Sequence, residues 1–360
     1  MNFKKWGMLL CLVLVALALR IHVARNVPVE VDEDNYLSAA LDYRRGLDAR
    51  DLYAITHVQR NYEHPPFVKI LYALTMDQQE VDSLPRKLYP GFMEKLPTSL
   101  DRARGQSIFS GVLTAFIVGL MNPFAGLVMA TQSMQVYYTG VAYLDALPVL
   151  FISLMAWAYR HKPPENRSFN PYFWLSAIFF GAAVAAKYPY ALVGAVLITH
   201  ALVYRHHSLK KLVLWGLIAV AVFFWLNPYI WPDPVARLKA QLTFHTDYGL
   251  GRNYSVFTPW GQMLYPRQDI RYDQGLVLHP IVDLVFFLLA VPGGYVLLRQ
   301  KSLFGWWLVA GVLFQMLWPA QWIQHNMIMI VPYSFSAAVM FQRLVQQIQE
   351  KSLWITSNSN

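Results

Sequence analysis

The chain has 360 residues, of which 56% are hydrophobic, 15% aromatic and only 14% charged. A soluble domain carries about a quarter charged residues, so this composition excludes a water-soluble globular fold. The net charge of +9 calls for no nucleic-acid partner, because cytoplasmic loops of membrane proteins collect Lys and Arg, and the single cysteine, Cys11, excludes an internal disulfide.

Apolar blocks of about 15 to 20 residues, long enough to cross a hydrocarbon core, recur along the chain. They cover residues 6–19, 108–121, 124–137, 146–159, 172–186, 190–204, 212–226, 281–298, 303–318 and 327–341. The spacing predicts an all-α polytopic membrane protein with about ten transmembrane helices. The first block also fits a cleaved signal peptide, with Lys4 and Lys5 before it and Ala16-Leu17-Ala18 near its end. No polar, helix-breaking stretch separates its apolar core from that site, which favours a retained first helix.

With Lys4 and Lys5 inside, ten spans place four loops on the cytoplasmic side; the one at Asn122-Pro123 is uncharged, and the others carry Arg160, Lys162 and Arg167; Arg205, Lys210 and Lys211; Arg299 and Lys301. Arg343 and Lys351 follow in a cytoplasmic tail, residues 342–360, after a transmembrane domain of residues 1–341. This is the positive-inside pattern. The external face then receives two segments too long to be simple connections, 21–106 and 227–279, and the turns near Asp145, Lys187 and 319–325. Residues 34–45 and 66–76, and more weakly 238–245, carry amphipathic patterns that predict helices lying along the interface.

Candidate functional residues collect on that external side. Asp32, Glu33 and Asp34 stand together, and like charges this close raise one another's pKa and make a proton acceptor; the same residues also fit a solvated helix cap. Asp145 opens an apolar run and fits either an N-cap or a buried functional carboxylate. Lys187 ends an Ala-rich run and fits either a site cation or a snorkelling interfacial lysine. His64-Pro65-Pro66 forces an extended turn before a helix that can start on proline. Arg102 and Arg104 precede the second span outside, where few basic residues are expected.

Taken together, these elements resemble the GT-C glycosyltransferases, in particular the protein O-mannosyltransferase and aminoarabinose-transferase branch. Asp32-Glu33-x-x-Tyr36 matches that branch's Asp-Glu-x-x-aromatic motif, and Glu63-His64-Pro65-Pro66-x-x-Lys69 is similar to its His-Pro-Pro-x-x-Lys segment. Arg102 and Ser107 loosely match a helix start, and Tyr143-Leu144-Asp145 matches a second acidic site. Lys187-Tyr188-Pro189 resembles a Lys-Gly-Pro turn with Tyr for Gly, and Gln324-His325-Asn326 through Pro332 resembles a final His-Tyr helix with Asn for Tyr. No sizeable soluble domain follows the last span, unlike the eukaryotic relatives.

The resemblance implies a membrane glycosyltransferase that uses a polyprenyl-phosphate-linked sugar and a protein, lipid or glycan acceptor. It would act at the external face of a prokaryotic cytoplasmic membrane, surrounded by membrane lipid. Such a donor brings its own leaving group, so the reaction needs a base at the acceptor and cations at the departing phosphate. Motif position makes Asp32 the base, with inversion at the anomeric carbon. Glu33, His64, Arg102, Asp145, Lys187, Tyr188 and His325 become substrate-binding candidates, and Arg104 and Arg252 further phosphate candidates. A divalent cation, Mg or Mn, held by Asp32, Asp145 and His64 is compatible with the residue types but not demanded by their spacing. Two other classes stay open: a transporter or flippase of a lipid-linked or ionic solute, and a non-catalytic assembly or receptor protein.

Overall fold

A computed structural model describes residues 3–84, 91–161, 170–249, 280–318 and 322–358. Lys162, Arg167, Arg252 and the loop portion 250–279 lie outside the described residues. Among the described residues the secondary structure is helical, without a β-strand. Helix α1 is Phe3–Asn26. The long segment after α1 folds as α2 (Val31–Asp48), α3 (Leu52–Thr56), α4 (Phe67–Thr75) and α5 (Gln78–Ser83). Next come α6 (Pro97–Met121), α7 (Pro123–Thr131), α8 (Ser133–Tyr138), α9 (Ala146–Arg160), α10 (Pro171–Ala186), α11 (Ala191–Val203) and α12 (Leu209–Trp225). The segment after α12 contributes α13 (Pro234–Gly249), followed by α14 (Pro280–Arg299), α15 (Leu303–Leu317) and α16 (Ile330–Asn358).

The sequence writes many of these boundaries itself. Proline at the first helical position starts α6, α7 and α10, where its missing N–H costs nothing. Asn122 and Asn170 cap α7 and α10 with their side-chain oxygens, at 3.0 Å from the Phe124 and Tyr172 amides. Four stretches are long and apolar enough to cross a membrane: Lys5–Asn26, Pro97–Met121, Val282–Arg299 and Ile323–Ser352. Shorter apolar helices accompany them at Ala146–Arg160, Pro171–Ala186, Tyr188–Val203 and Leu303–Leu317. Each lies on one of the expected apolar blocks.

Three groups of helices pack together: α1 with α6 and α7, α10 with α9 and α12, and α14 with α15 and α16. Apolar lipid supplies no hydrophobic drive between helices, so close backbone approach matters. A Cβ on Gly126 of α7 would sit 2.5 Å from Gly119 Cα of α6, so this crossing requires glycine.

One expected span differs. Residues 124–137 do not form a single helix; the backbone turns extended at Gln132 (φ −65°, ψ 129°), dividing α7 from α8. The physical reason is the polar run Thr131-Gln132-Ser133 inside an otherwise apolar block. Gln132 Oε1 accepts from the Gln135 amide at 2.8 Å, so the side chain replaces the backbone bonds that continuation would have made.

The amphipathic segments form as helices. The expected 34–45 lies within α2, 66–76 is essentially α4, and 238–245 is the middle of the longer α13. Helix α13 is tied down by Arg237, which donates to Tyr229 O at 2.6 Å and to Thr56 O, and whose guanidinium lies 4.9 Å from the Tyr229 ring centre.

Candidate active site

A cavity of about 580 Å³ opens where α2, the 61–64 turn, the end of α8, the end of α10, α13 and the Trp322–His325 turn converge. Its lining holds three kinds of side chain: the carboxylates Glu30, Asp32 and Glu63, the nitrogen bases Lys187, His64, His245 and His325, and aromatic rings, chiefly Tyr36, Tyr137, Tyr138, Tyr143 and Trp322.

Asp32 sits in the first turn of α2, half-buried at the cavity edge. It is not the cap of that helix; the N-cap is Glu30, whose amide donates to Glu33 Oε2 at 3.0 Å. Asp32 is thus released from capping and faces the cavity. Burial pushes its carboxyl up, Lys187 and the Tyr143 hydroxyl oppose this, and the negative charges of Asp145 and Glu63 add to it.

Glu33, its neighbour, points elsewhere because successive helical residues are about 100° apart. It is fully buried, and its oxygens accept from Arg104 Nε at 2.8 Å, Arg104 Nη2 at 2.6 Å and the Ala142 amide at 2.6 Å. Arg104 continues to the carbonyls of Ala24, Val27 and Pro28 at the end of α1. Glu33 and Arg104 therefore lie outside the cavity and lash α1, α2, α6 and the Tyr143 loop into one knot. Breaking one partner of such a pair costs about 3–5 kcal/mol, so Arg104→Met should lower the thermal midpoint by many degrees, as scanning fluorimetry in detergent would read. An unchanged midpoint would contradict this role. Asp34, third of the acidic run, accepts from the Gly91 and Met93 amides at 3.0 and 3.3 Å and anchors that turn.

Asp145 and Lys187 form a buried pair, 1% and 3% exposed, with Lys187 Nζ at 2.8 and 2.7 Å from the two carboxylate oxygens. The Asp145 side chain makes no cap bond to α9, so the cap reading does not describe it. Lys187 is the C-cap of α10 in an extended conformation that turns its stem inward, so it does not snorkel outward.

The 61–64 turn is built by Lys69, fully buried in α4, which donates to Asn61 O at 2.5 Å, Asn61 Oδ1 at 3.2 Å and His64 O at 2.8 Å. His64 then faces His245, ring centres 5.1 Å apart, and His245 Nε2 lies 3.0 Å from Glu63 O. Burial lowers the pKa of both imidazoles; for His64 the nearby His245, Lys187, Lys69 and His325 lower it further. His245 has no counterpart in the motifs read from sequence. Its only signal was its place at the end of the weak amphipathic stretch 238–245.

Besides Glu33, two further expected binding residues are placed away from the cavity wall. Arg102 is on the exposed side of α6, 3.1 Å from Asp77. The Tyr188 hydroxyl donates to Gln241 and accepts from Asn227 at 3.1 Å, bracing α13 against the ends of α10 and α12. The residues expected for a divalent cation do not make a cage: both oxygens of Asp145 are engaged by Lys187, and no three His, Cys, Asp or Glu side chains cluster around one point among the described residues.

No family model and no curated protein matches the sequence. Solved structures do match in fold. The structure of ArnT from Cupriavidus metallidurans bound to undecaprenyl phosphate superposes with TM-score 0.66 at 18% identity, covering 98% of this chain and 63% of that one. The apo state of the same protein gives 0.62 at 17% identity, covering 97% of this chain and 62% of that one. The archaeal oligosaccharyltransferase AglB from Archaeoglobus fulgidus, in complex with an inhibitory peptide and a dolichol-phosphate, gives 0.56 at 13% identity, covering 99% and 52% respectively. This chain thus spans less than two thirds of the length of these proteins. From α1 to α16 it has the GT-C fold, the fold of ArnT and AglB.

Proposed function

We propose that the chain is a membrane glycosyltransferase that moves a sugar from a polyprenyl-phosphate donor to a protein, lipid or glycan acceptor at the external face, with Asp32 as general base. The observation that carries this reading is the meeting of an uncapped carboxylate, Asp32, with Lys187 and three imidazoles in one cavity. The fold supports it, since the matching ArnT structure holds undecaprenyl phosphate.

In this reading the acceptor O–H or N–H gives its proton to Asp32 as its heteroatom attacks the anomeric carbon. The bond from that carbon to the phosphate oxygen breaks, and polyprenyl phosphate leaves with the electron pair. A single displacement inverts the anomeric centre. The charge released on the phosphate is met by Lys187, aided by His64 and His245, which a bound anion would draw toward their protonated forms, with His325 in the same cavity lining. Lys187 holds Asp145 before donor arrives, so the buried pair keeps the cation in place without an anion in the site. Asp145 orients that lysine, and the tyrosine wall offers apolar faces and hydroxyls to the sugar.

A base works deprotonated, so activity should fall as pH drops through the raised pKa of Asp32. The acid limb of the pH–rate profile should lie above the ordinary aspartate value of about 3.9. Glu63→Gln deletes a neighbouring negative charge while keeping an oxygen for Asn61 Nδ2, which donates to Glu63 Oε1 at 2.7 Å. That variant should shift the limb to lower pH, because less repulsion favours the carboxylate. A limb that stays in place, or moves up, would remove Asp32 as the titrating base.

A further inference from the structure

The break between α7 and α8 is buried, with Gln132 and Ser133 at most 1% exposed, so each freed backbone group needs a protein partner. Both sides of this break are met by a buried ionisable side chain from another helix. On the α7 side, Arg20 of α1 is 0% exposed and donates from Nη2 to Met129 O at 3.0 Å and from Nη1 to Ala130 O at 3.2 Å. Its Nε donates to Thr139 Oγ1 at 2.7 Å, just past the end of α8. A Cβ on Gly111 would stand 2.5 Å from that Nε and 2.4 Å from that hydroxyl, so α6 leaves a gap for the bond. On the α8 side, Asp283 of α14 is also 0% exposed, and its Oδ1 accepts from the Ser133 amide at 3.1 Å. Among the described residues neither Arg20 nor Asp283 belongs to an ion pair. Their partners are the ends of the broken helix.

What α8 carries forward is the cavity wall. Tyr137 and Tyr138 line the cavity, and Tyr137 Oη donates to Glu30 Oε1 at 2.5 Å. Glu30 is the N-cap of α2, two residues before Asp32. We infer that Arg20 and Asp283 are positioning residues, which pin the two ends of the α7–α8 break and so hold the tyrosine wall, and through Tyr137 and Glu30 the first turn of α2, in register with the reacting groups. The kinetic consequence rests on the glycosyltransferase reading; the pinning does not.

Two substitutions at Asp283 separate position from bulk stability. Asp283→Asn keeps an oxygen at the Ser133 amide, and Asp283→Leu removes it. Hydrogen–deuterium exchange of the protein in nanodiscs should be faster across residues 133–138 in Asp283→Leu, by about tenfold for one lost buried bond, and close to wild type in Asp283→Asn. With a polyprenyl-phosphate sugar as donor, kcat of Asp283→Leu should fall by about tenfold while affinity for polyprenyl phosphate alone stays within about twofold, because Lys187, His64 and His245 stand on other elements. Asp283→Asn should recover most of the rate. If Asp283→Leu does not yield folded protein, Thr139→Val removes the acceptor of Arg20 Nε with little change of shape, and should raise exchange over the same residues. Unchanged exchange at 133–138 in the folded variants would overturn the inference, as would an asparagine variant as impaired as the leucine one. Should the wild-type protein transfer no sugar while the exchange pattern holds, the reaction reading fails and the pinning stands.

Discussion

Asp32→Asn is expected to abolish sugar transfer, lowering kcat by about 10²- to 10⁴-fold, the usual contribution of a general base. Donor binding and folding should be retained, since asparagine keeps the shape and part of the hydrogen bonding. The structure narrows what a contrary result would mean. Glu33 is committed to Arg104 and the Ala142 amide, and Asp34 to the Gly91 and Met93 amides, so neither is free to replace Asp32. A variant that turns over normally would point to Glu63, which lines the same cavity. Product analysis by mass spectrometry on purified protein gives the rate, and binding of polyprenyl phosphate gives the control.

The second large effect is expected at Lys187, where two consequences must be separated. Lys187→Met keeps the apolar stem and deletes the charge. It also leaves Asp145 buried at 1% exposure with no counter-charge, which costs about 3–5 kcal/mol when one partner of a buried pair is removed. A fall in donor affinity for the single variant would therefore mix phosphate contact with instability. The double variant Lys187→Met with Asp145→Asn relieves the orphaned charge. Its thermal midpoint should return toward wild type, while affinity for polyprenyl phosphate should stay at least about tenfold weaker, the scale of one lost charge-assisted contact. Wild-type affinity in the refolded double variant would make the pair purely structural. Recovery of stability without recovery of affinity assigns Lys187 to the phosphate.

Much of this arrangement was legible in the residues. Apolar run length placed the helices, because the bilayer fixes how long a buried run must be. Motif spacing grouped Asp32, His64, Asp145, Lys187 and His325, and they meet around one cavity or, for Asp145, directly behind its lysine. What escaped was orientation. Asp32 and Glu33 are adjacent in sequence, yet one faces the cavity and the other Arg104, since a helix turns its neighbours apart. Arg102 and Arg104 read alike in sequence, two residues apart on α6, and face Asp77 and Glu33 respectively. The division of α7 from α8 was masked because Gln132 and Ser133 dilute an apolar window only slightly. Its stabilisers, Arg20 and Asp283, lie 112 and 151 residues away from Gln132 in the chain, and only the packed structure joins them.

The central claim, that this chain transfers sugar from a polyprenyl-phosphate donor with Asp32 as base, is tested most directly in cells. Mass spectrometry of lipid-linked sugars and of cell-surface glycans should be compared in cells with the gene, without it, and with only the Asp32→Asn form. The account predicts that the null and Asp32→Asn cells alike accumulate one polyprenyl-phosphate sugar and lose one glycan modification, and that the wild-type gene restores both. Lipid-linked sugars that are the same in all three strains, or an Asp32→Asn strain indistinguishable from wild type, would contradict it.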